Sequence, residues 1–143
     1  MASIKRNASA VWQGTGKEGG GSLTTQSGTL KATPYSFGRR FGDEPGTNPE
    51  ELIAAAHAGC YSMALAFMLT GAGHPPASLN TTATVGLEQE GAGWKIATVH
   101  LVLKAKVPGI DRATFDKLAA DAKAGCPVSK VLNAAVSLDA TLE

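Results

Sequence analysis

The chain lacks the clusters of like charge that are typical of nucleic-acid and membrane-surface proteins. Only 17% of its 143 residues are charged, and 13 Lys and Arg side chains nearly balance 12 Asp and Glu, for a formal net charge of +1. No run of five basic residues occurs; Lys5-Arg6 and Arg39-Arg40 are only pairs. Because phosphate backbones are bound through clusters of basic side chains, we expect no nucleic-acid partner.

Cysteine is scarce as well, with only Cys60 and Cys126 in the chain. Two thiols cannot build a disulfide framework, but they are sufficient for one redox couple. No Cys-x-x-Cys pair occurs and the three histidines are scattered, whereas zinc sites usually show two tight pairs of ligands. The glycine-rich stretches lack the Lys-Ser/Thr of a phosphate-binding loop, so the sequence predicts no cofactor.

Long hydrophobic runs are also few. Residues 7–16 supply no apolar stretch for a secretion signal, so we expect a cytoplasmic protein. In the cytoplasm a pair of cysteines is more often catalytic, redox-active or metal-binding than structural. The exception is the segment 52–69, which is long enough to raise the question of a membrane span. Its many Ala and Gly residues are only weakly hydrophobic, and its neighbours alternate like strands. We therefore interpret it as a central helix buried on all sides, with no membrane partner.

The remaining patterns predict an α+β fold with largely antiparallel sheet, in a single domain over residues 1–143. Strands are predicted where glycine-bounded or alternating segments occur, over 10–14, 22–27, 29–31, 82–88, 95–107 and 135–142. An amphipathic helix is predicted over 111–123 and a short helix over 126–132. Residues 33–47 are predicted to form a loop, and long loops in small domains are often functional.

The long helix has a clear start signal in the sequence. Thr47 or Asn48 can cap its free N–H groups, and Pro49 is tolerated in a first turn because its missing N–H is no loss there. Glu50 and Glu51 complement the positive end of the helix.

The two cysteines differ in their local setting. Cys60 lies in the middle of the apolar helix, where a cysteine is commonly a small, buried and unreactive side chain. Cys126 precedes Pro127 at the start of a short helix, and a thiol there meets free N–H groups and the positive end of the helix dipole, which lower its pKa. Local physics therefore nominates Cys126 as the more acidic thiol. The separation of 66 residues does not establish that the two thiols meet.

Two motifs resemble those of a known family. Residues 47–52 (TNPEEL) and 55–60 (AAHAGC) resemble the first cysteine helix of the OsmC/Ohr family, and residues 124–129 (AGCPVS) resemble its second cysteine motif. The similarity runs over essentially the whole chain and looks closest to the osmotically inducible branch of the family. It implies an intertwined α+β homodimer with active sites at the subunit interface, and a thiol peroxidase that prefers organic hydroperoxides.

The resemblance also implies roles for particular residues. The family's peroxide-attacking cysteine falls on Cys60 and its resolving cysteine on Cys126, while a family Glu falls on Glu50 and a family Arg on Arg40. The alternatives for the activating cation are Arg39 and Lys17. His57 matches only the branch and receives no catalytic role. Because ten helical residues span about 15 Å, Glu50 cannot touch Cys60 directly. The Arg must bridge them, or the loop must fold over, from the same or from the other subunit.

The implied reaction needs thiols alone, with no metal or organic cofactor. A Cys60 thiolate, favoured by the guanidinium that Glu50 orients, attacks the peroxide and becomes a sulfenic acid. Cys126 condenses with it to a disulfide, which an external dithiol reduces. Two other functions remain open, namely a redox-sensing stress protein without significant turnover and a small metal-binding protein that uses His57 and Cys60 as a ligand pair.

Overall fold

The computed structural model describes residues 2–143, which contain six strands and four helices. The strands are β1 (Ala8–Gln13), β2 (Gly20–Thr25), β3 (Thr33–Tyr35), β4 (Ser78–Glu90), β5 (Gly93–Lys106) and β6 (Ala135–Leu142). The helices are α1 (Phe37–Phe41), α2 (Pro49–Gly71), α3 (Arg112–Gly125) and α4 (Pro127–Val131). This order confirms the α+β fold class. The chain divides into two compact units, the first ending at Leu52 and the second running from Ile53 to Glu143.

The first unit contains an antiparallel sheet in the order β1-β2-β3. The predicted hairpin between β1 and β2 is present, and Gly14 begins its turn with a φ of 91° that favours glycine. The strand predicted over 29–31 is wrong, because the third strand is β3. Residues 26–32 instead form a tight loop, in which Thr25 N–H donates to the Leu30 carbonyl at 2.9 Å.

The loop predicted over 33–47 contains two short elements, β3 and α1, which corrects the prediction. Ser36 caps α1, since its side chain accepts a hydrogen bond from Arg39 N–H at 3.3 Å. Arg39 and Arg40 therefore lie in the last turn of a helix rather than on an open loop. The start of α2 follows the prediction, because the Asn48 side chain accepts from Glu51 N–H at 2.8 Å and Pro49 is the first helical residue.

The second unit contains a mixed sheet in the order β4-β5-β6. The hairpin predicted between β4 and β5 is present and antiparallel, whereas β6 pairs with β5 in parallel after the chain has passed through α3 and α4. Alternate residues of β5 are buried. They form one core with residues of α2 and α3; its fully buried members include Tyr61, Leu65, Leu69, Val99, Leu101, Leu103, Ala105, Phe115 and Ala122.

Only one face of α2 is buried, which corrects the prediction of a helix buried on all sides. Tyr61, Leu65 and Leu69, spaced four residues apart, are fully buried, whereas Met63 and Phe67 are 65% and 74% exposed. The core cluster of the second unit meets one stripe of the helix, and Met63 and Phe67 lie outside that stripe. By length and composition, with a mean hydropathy of 1.7, α2 is also apolar enough to cross a membrane, a property that core helices of soluble proteins share.

Candidate active site

The second unit brings the two cysteines together. The Sγ atoms of Cys60 and Cys126 lie 2.9 Å apart, and both residues are free thiols. Cys60 comes from the middle of α2, while Cys126 is the single residue between α3 and α4. The Cys126 N–H bonds to Ala122 at the end of α3, and its carbonyl accepts from Lys130 in α4, so both helices fix its position. A disulfide, with an S–S bond of about 2.05 Å, can form from this contact with a small movement.

Access to the two sulfurs is unequal. Cys126 is fully buried, whereas Cys60 is partly exposed. A dissolved molecule can therefore approach Cys60 more readily than Cys126.

The pKa shifts favour ionisation of Cys126, the less accessible of the two thiols. Burial raises the pKa of Cys60, and its contact with Cys126 raises that pKa further. Burial also acts to raise the pKa of Cys126, but the Cys60 thiol together with the N–H and hydroxyl of Ser129 outweighs it, so the pKa of Cys126 is lowered. The Cys126 side chain makes no capping hydrogen bond at the start of α4. In the contact between the two sulfurs, the Cys126 thiol donates to the Cys60 sulfur.

A buried histidine joins the cysteine pair through Ser129. His57 is fully buried, and its Nε2 lies 2.7 Å from Ser129 Oγ. Its Nδ1 is buried and has no hydrogen-bond partner among residues 2–143. Burial lowers the pKa of His57, which keeps the ring neutral near pH 7. The sequence analysis gave Ser129 no role and considered His57 only as a metal ligand beside Cys60, although Ser129 follows Cys126 by three residues at a helix start.

The first unit contains a second charged arrangement, between Arg40 and Glu50. Arg40 Nη2 lies 2.7 Å from Glu50 Oε1, and Arg40 Nε lies 3.1 and 3.2 Å from the two carboxylate oxygens. Glu50 is 8% exposed, so the pair is shielded on the carboxylate side. Arg39 points elsewhere: its Nη1 pairs with Glu44 at 3.3 Å, and its Nε donates to the Pro45 carbonyl at 2.9 Å.

Arg40 also lines a cavity of about 380 Å³ within the first unit. Half of the residues that line the cavity are aromatic, namely Trp12, Tyr35, Phe37 and Phe41. The Arg40 guanidinium carbon lies 5.3 Å from the centre of the Phe41 ring, in a cation–π contact. Lys17, the other alternative cation, lines the same cavity but is exposed. The cavity thus offers an apolar surface beside a fixed positive charge.

The metal ligands considered from the sequence have other partners in the structure. His57 contacts Ser129, and Cys60 contacts Cys126. Within residues 2–143 no group of three or more His, Cys, Asp or Glu side chains is arranged to hold a metal ion.

Comparison with known proteins gives a consistent set of relatives. A family model described as OsmC-like protein matches residues 42–141. Peroxiredoxin OsmC of Escherichia coli K12 is 51% identical over 140 residues, which cover 98% of each chain. The organic hydroperoxide resistance protein of Xanthomonas axonopodis pv. citri is 32% identical over 112 residues, 78% of this chain and 75% of the relative. The crystal structure of an organic hydroperoxide resistance protein OsmC from Legionella pneumophila matches with a TM-score of 0.74 and 26% identity, covering 99% of both chains.

Proposed function

We propose that this chain, which belongs to the OsmC-like family and is a peroxidase, reduces organic hydroperoxides with Cys60 as the attacking thiol and Cys126 as the resolving thiol. The names of its relatives, peroxiredoxin and organic hydroperoxide resistance protein, support a role in hydroperoxide defence. The observation that carries the assignment of the thiols is their 2.9 Å contact, in which Cys60 alone is accessible.

The proposed cycle balances with thiols alone. The Cys60 thiolate attacks the terminal peroxide oxygen, the O–O bond breaks, and the departing alkoxide takes up a proton to leave as an alcohol. Cys60 is then a sulfenic acid. The Cys126 thiolate attacks its sulfur, an S–S bond forms, the S–O bond breaks, and hydroxide leaves and is protonated to water. An external dithiol reduces the disulfide, and we propose that this occurs in the cytoplasm, where such reductants are maintained.

Arg40 is the cation that we propose activates Cys60. Burial raises the pKa of Cys60, so a nearby positive charge is needed to supply thiolate near pH 7. Glu50 binds the Nε and Nη2 side of the guanidinium, which leaves Nη1 to donate to a peroxide oxygen. The aromatic cavity beside Arg40 supports a preference for organic peroxides, because a hydrocarbon substituent gains free energy from apolar burial that hydrogen peroxide cannot gain.

A homodimer is the assembly that we propose. Met63 and Phe67 present an exposed apolar face on α2, and contiguous apolar surface of this kind commonly marks an interface. A second copy of the chain would cover it, in agreement with the intertwined dimer that the family resemblance implies.

The direct test is peroxide consumption by the purified protein with several dithiol donors, using cumene hydroperoxide and hydrogen peroxide side by side. We expect repeated turnover that is faster with cumene hydroperoxide. Consumption of one equivalent per chain, with no turnover under any donor, would favour a redox sensor instead. Bound zinc that survives dialysis would favour the metal-binding alternative.

A further inference from the structure

Two hydrogen bonds tie α2 to the helices on either side of the buried cysteine. His57 Nε2 of α2 lies 2.7 Å from Ser129 Oγ of α4. The Tyr61 hydroxyl of α2 donates to the Ala119 carbonyl of α3 at 3.0 Å. All four residues belong to the second unit. We call these two contacts the clamp.

The clamp and the sulfur contact lie on one face of α2. His57 precedes Cys60 by three residues and Tyr61 follows it directly, which places the three side chains within little more than one helical turn. Their partners follow the reverse order along the chain, with Ala119 in α3 first and Ser129 in α4 last. The clamp therefore spans the junction of α3 and α4, where the second cysteine lies.

Both side chains that α2 contributes to the clamp are fully buried. Water cannot replace their partners there, so breaking either contact would leave a polar group unsatisfied. For His57 the loss would be complete, because its Nδ1 already has no hydrogen-bond partner within residues 2–143. Apolar packing is not directional, whereas a hydrogen bond prefers a narrow range of distance and angle. The clamp thus adds orientation to the packing of α2 against α3 and α4.

The clamp uses no sulfur atom, which distinguishes it from the thiol contact. The hydrogen bond from Cys126 to Cys60 needs both sulfurs in their reduced form, and it changes when Cys60 is oxidised. The clamp atoms are nitrogen and oxygen, so they keep their partners whichever form the sulfurs take.

We propose that His57 and Tyr61 are positioning residues: by holding the α3–α4 junction against α2, they keep the two sulfurs within bonding reach. The inference deepens the proposed peroxidase function, on which its part in turnover rests. In the resolving step the Cys126 sulfur bonds to the sulfur of the Cys60 sulfenic acid, the S–O bond breaks, and the hydroxyl leaves with the thiol proton as water. A sulfenic acid that is resolved quickly has little time to meet a second peroxide.

The first test is the equilibrium between the protein dithiol and glutathione at pH 7, which needs no peroxide. Glutathione disulfide takes two electrons and two protons from the protein, so one S–S bond forms in the protein and two glutathione thiols are released. The equilibrium constant measures the effective concentration of one protein thiol at the other. Without the clamp the reduced junction opens for part of the time, and the constant falls with the closed fraction.

We expect Tyr61→Phe, which removes one oxygen atom, and His57→Leu each to lower this constant by about threefold to tenfold. A tenfold fall makes the reduction potential about 30 mV less negative. Because His57 and Ser129 form one contact, the double variant of His57→Leu with Ser129→Ala should fall no further than His57→Leu alone.

Conservative variants test whether the contact itself is responsible. Ser129→Thr keeps the hydroxyl, and His57→Gln keeps a group that donates or accepts at similar reach, so both should retain most of the wild-type constant. The matched control is the exposed pair His100 and Ser137 on the second sheet, whose Nδ1 and Oγ atoms lie 2.6 Å apart. His100→Leu and Ser137→Ala should leave the constant unchanged.

The second test follows the two chemical steps separately by stopped flow after one equivalent of cumene hydroperoxide. We expect Tyr61→Phe and His57→Leu to slow disulfide formation by about the same factor as the fall in the equilibrium constant, and to increase the yield of sulfinic acid. Oxidation of Cys60 should change much less, since that step does not require the second sulfur.

The inference and the proposed function fail in different measurements. Wild-type equilibrium constants in Tyr61→Phe and in His57→Leu, each verified as folded by circular dichroism, would overturn the positioning roles even if turnover is normal. If His57→Leu does not fold, Tyr61→Phe decides alone. An equal fall in the His100→Leu control would also overturn the roles. Absence of turnover in the wild type, with the shifted constants present, would overturn only the peroxidase cycle.

Discussion

Access and acidity, the two properties that decide a thiol's chemistry, favour different cysteines in this protein. Cys60 can be reached from solvent but has a raised pKa, whereas Cys126 is fully buried and has a lowered pKa. A buried thiol cannot attack a peroxide that does not reach it, so access supports the proposal that Cys60 reacts first. Under that proposal, the raised pKa of Cys60 calls for a nearby positive charge.

The order of reaction predicts distinct results for the two serine variants. Cys60→Ser should abolish peroxidase activity, because the accessible sulfur is lost. Cys126→Ser should permit one turnover and then stall or over-oxidise, because the sulfenic acid has no resolving partner. Mass spectrometry after one equivalent of peroxide distinguishes the products. Sulfenic acid on Cys126 in Cys60→Ser, with activity retained, would reverse the assignment.

Arg40 is expected to set the pH dependence of the first step. Arg40→Ala should move the pH–rate profile of Cys60 oxidation upward by about 1–3 units, the size of shift that a close opposite charge produces. The sign follows from the thiol: without the cation its pKa is higher, so less thiolate is present at neutral pH. Glu50→Gln should have a smaller effect, because it removes the carboxylate that positions Arg40 but leaves the positive charge of Arg40 in place. Stopped-flow oxidation from about pH 5 to pH 9 measures both.

Arg39→Ala is the matched control for this prediction, because Arg39 pairs with Glu44 and not with Glu50. A loss of rate confined to Arg39→Ala would transfer the role to that residue. Unchanged profiles in both single variants and in the double variant would rule out activation by either arginine.

At the scale of elements, the helix ends are built from local capping contacts. Asp111 caps α3, where its carboxylate accepts from Thr114 N–H at 2.9 Å and from the Thr114 hydroxyl at 2.7 Å. These two contacts lower the pKa of Asp111. A cap of this kind matters for the site because α3 ends at the residue that carries the buried thiol.

Asp111 is therefore expected to contribute to the acid dependence of stability. Its folded pKa is lowered, so its contribution to the free energy of unfolding is present above the unfolded value of about 3.9 and is lost as the pH falls through the folded pKa. Asp111→Asn keeps a capping oxygen and removes the charge, and should flatten the pH dependence of the free energy of unfolding in this range. Urea unfolding between about pH 2 and pH 6 tests this; an unaltered slope would contradict it.

At the scale of the whole molecule, α2 has two faces that differ in burial. One stripe completes the core of the second unit through Tyr61, Leu65 and Leu69. The other presents Met63 and Phe67, which a single chain leaves exposed. Burial of a large apolar side chain contributes about 1.5–3 kcal/mol. A dimer interface on this face would therefore be stabilised by the side chains that each copy buries.

The oligomeric state is therefore expected to depend on Phe67. The wild type should sediment as a dimer, and Phe67→Lys should shift the equilibrium to monomer, with a dissociation constant raised at least about tenfold. Ile4→Lys is the control, because Ile4 is 77% exposed and lies outside α2. Analytical ultracentrifugation measures the masses. A monomeric wild type at micromolar concentration would contradict the dimer, and flotation with phospholipid vesicles would indicate that α2 meets a membrane instead.

The sequence alone determined most of the local structure. The cap at Asn48, the proline that follows it and the alternation along β5 depend on only a few neighbouring residues, so they are visible in the chain itself. The strand expected over 29–31 failed because Thr25 bonds to Leu30 and closes a loop there, and side-chain pattern does not report such a backbone contact. The prediction that α2 is buried on all sides failed for a similar reason, since composition gives the apolarity of a helix but not how many of its faces pack against other elements.

The tertiary structure decided the site. The motifs indicated Cys60 and Cys126 as a redox couple, and local physics indicated Cys126 as the more acidic thiol, but only packing of α2 against the α3–α4 junction brings the sulfurs to 2.9 Å. The contact of His57 with Ser129, 72 residues apart, has no signal in the local pattern at all. A local pattern records the preferences of neighbours along the chain, whereas the acidity and access of a thiol depend on groups that folding brings from distant positions.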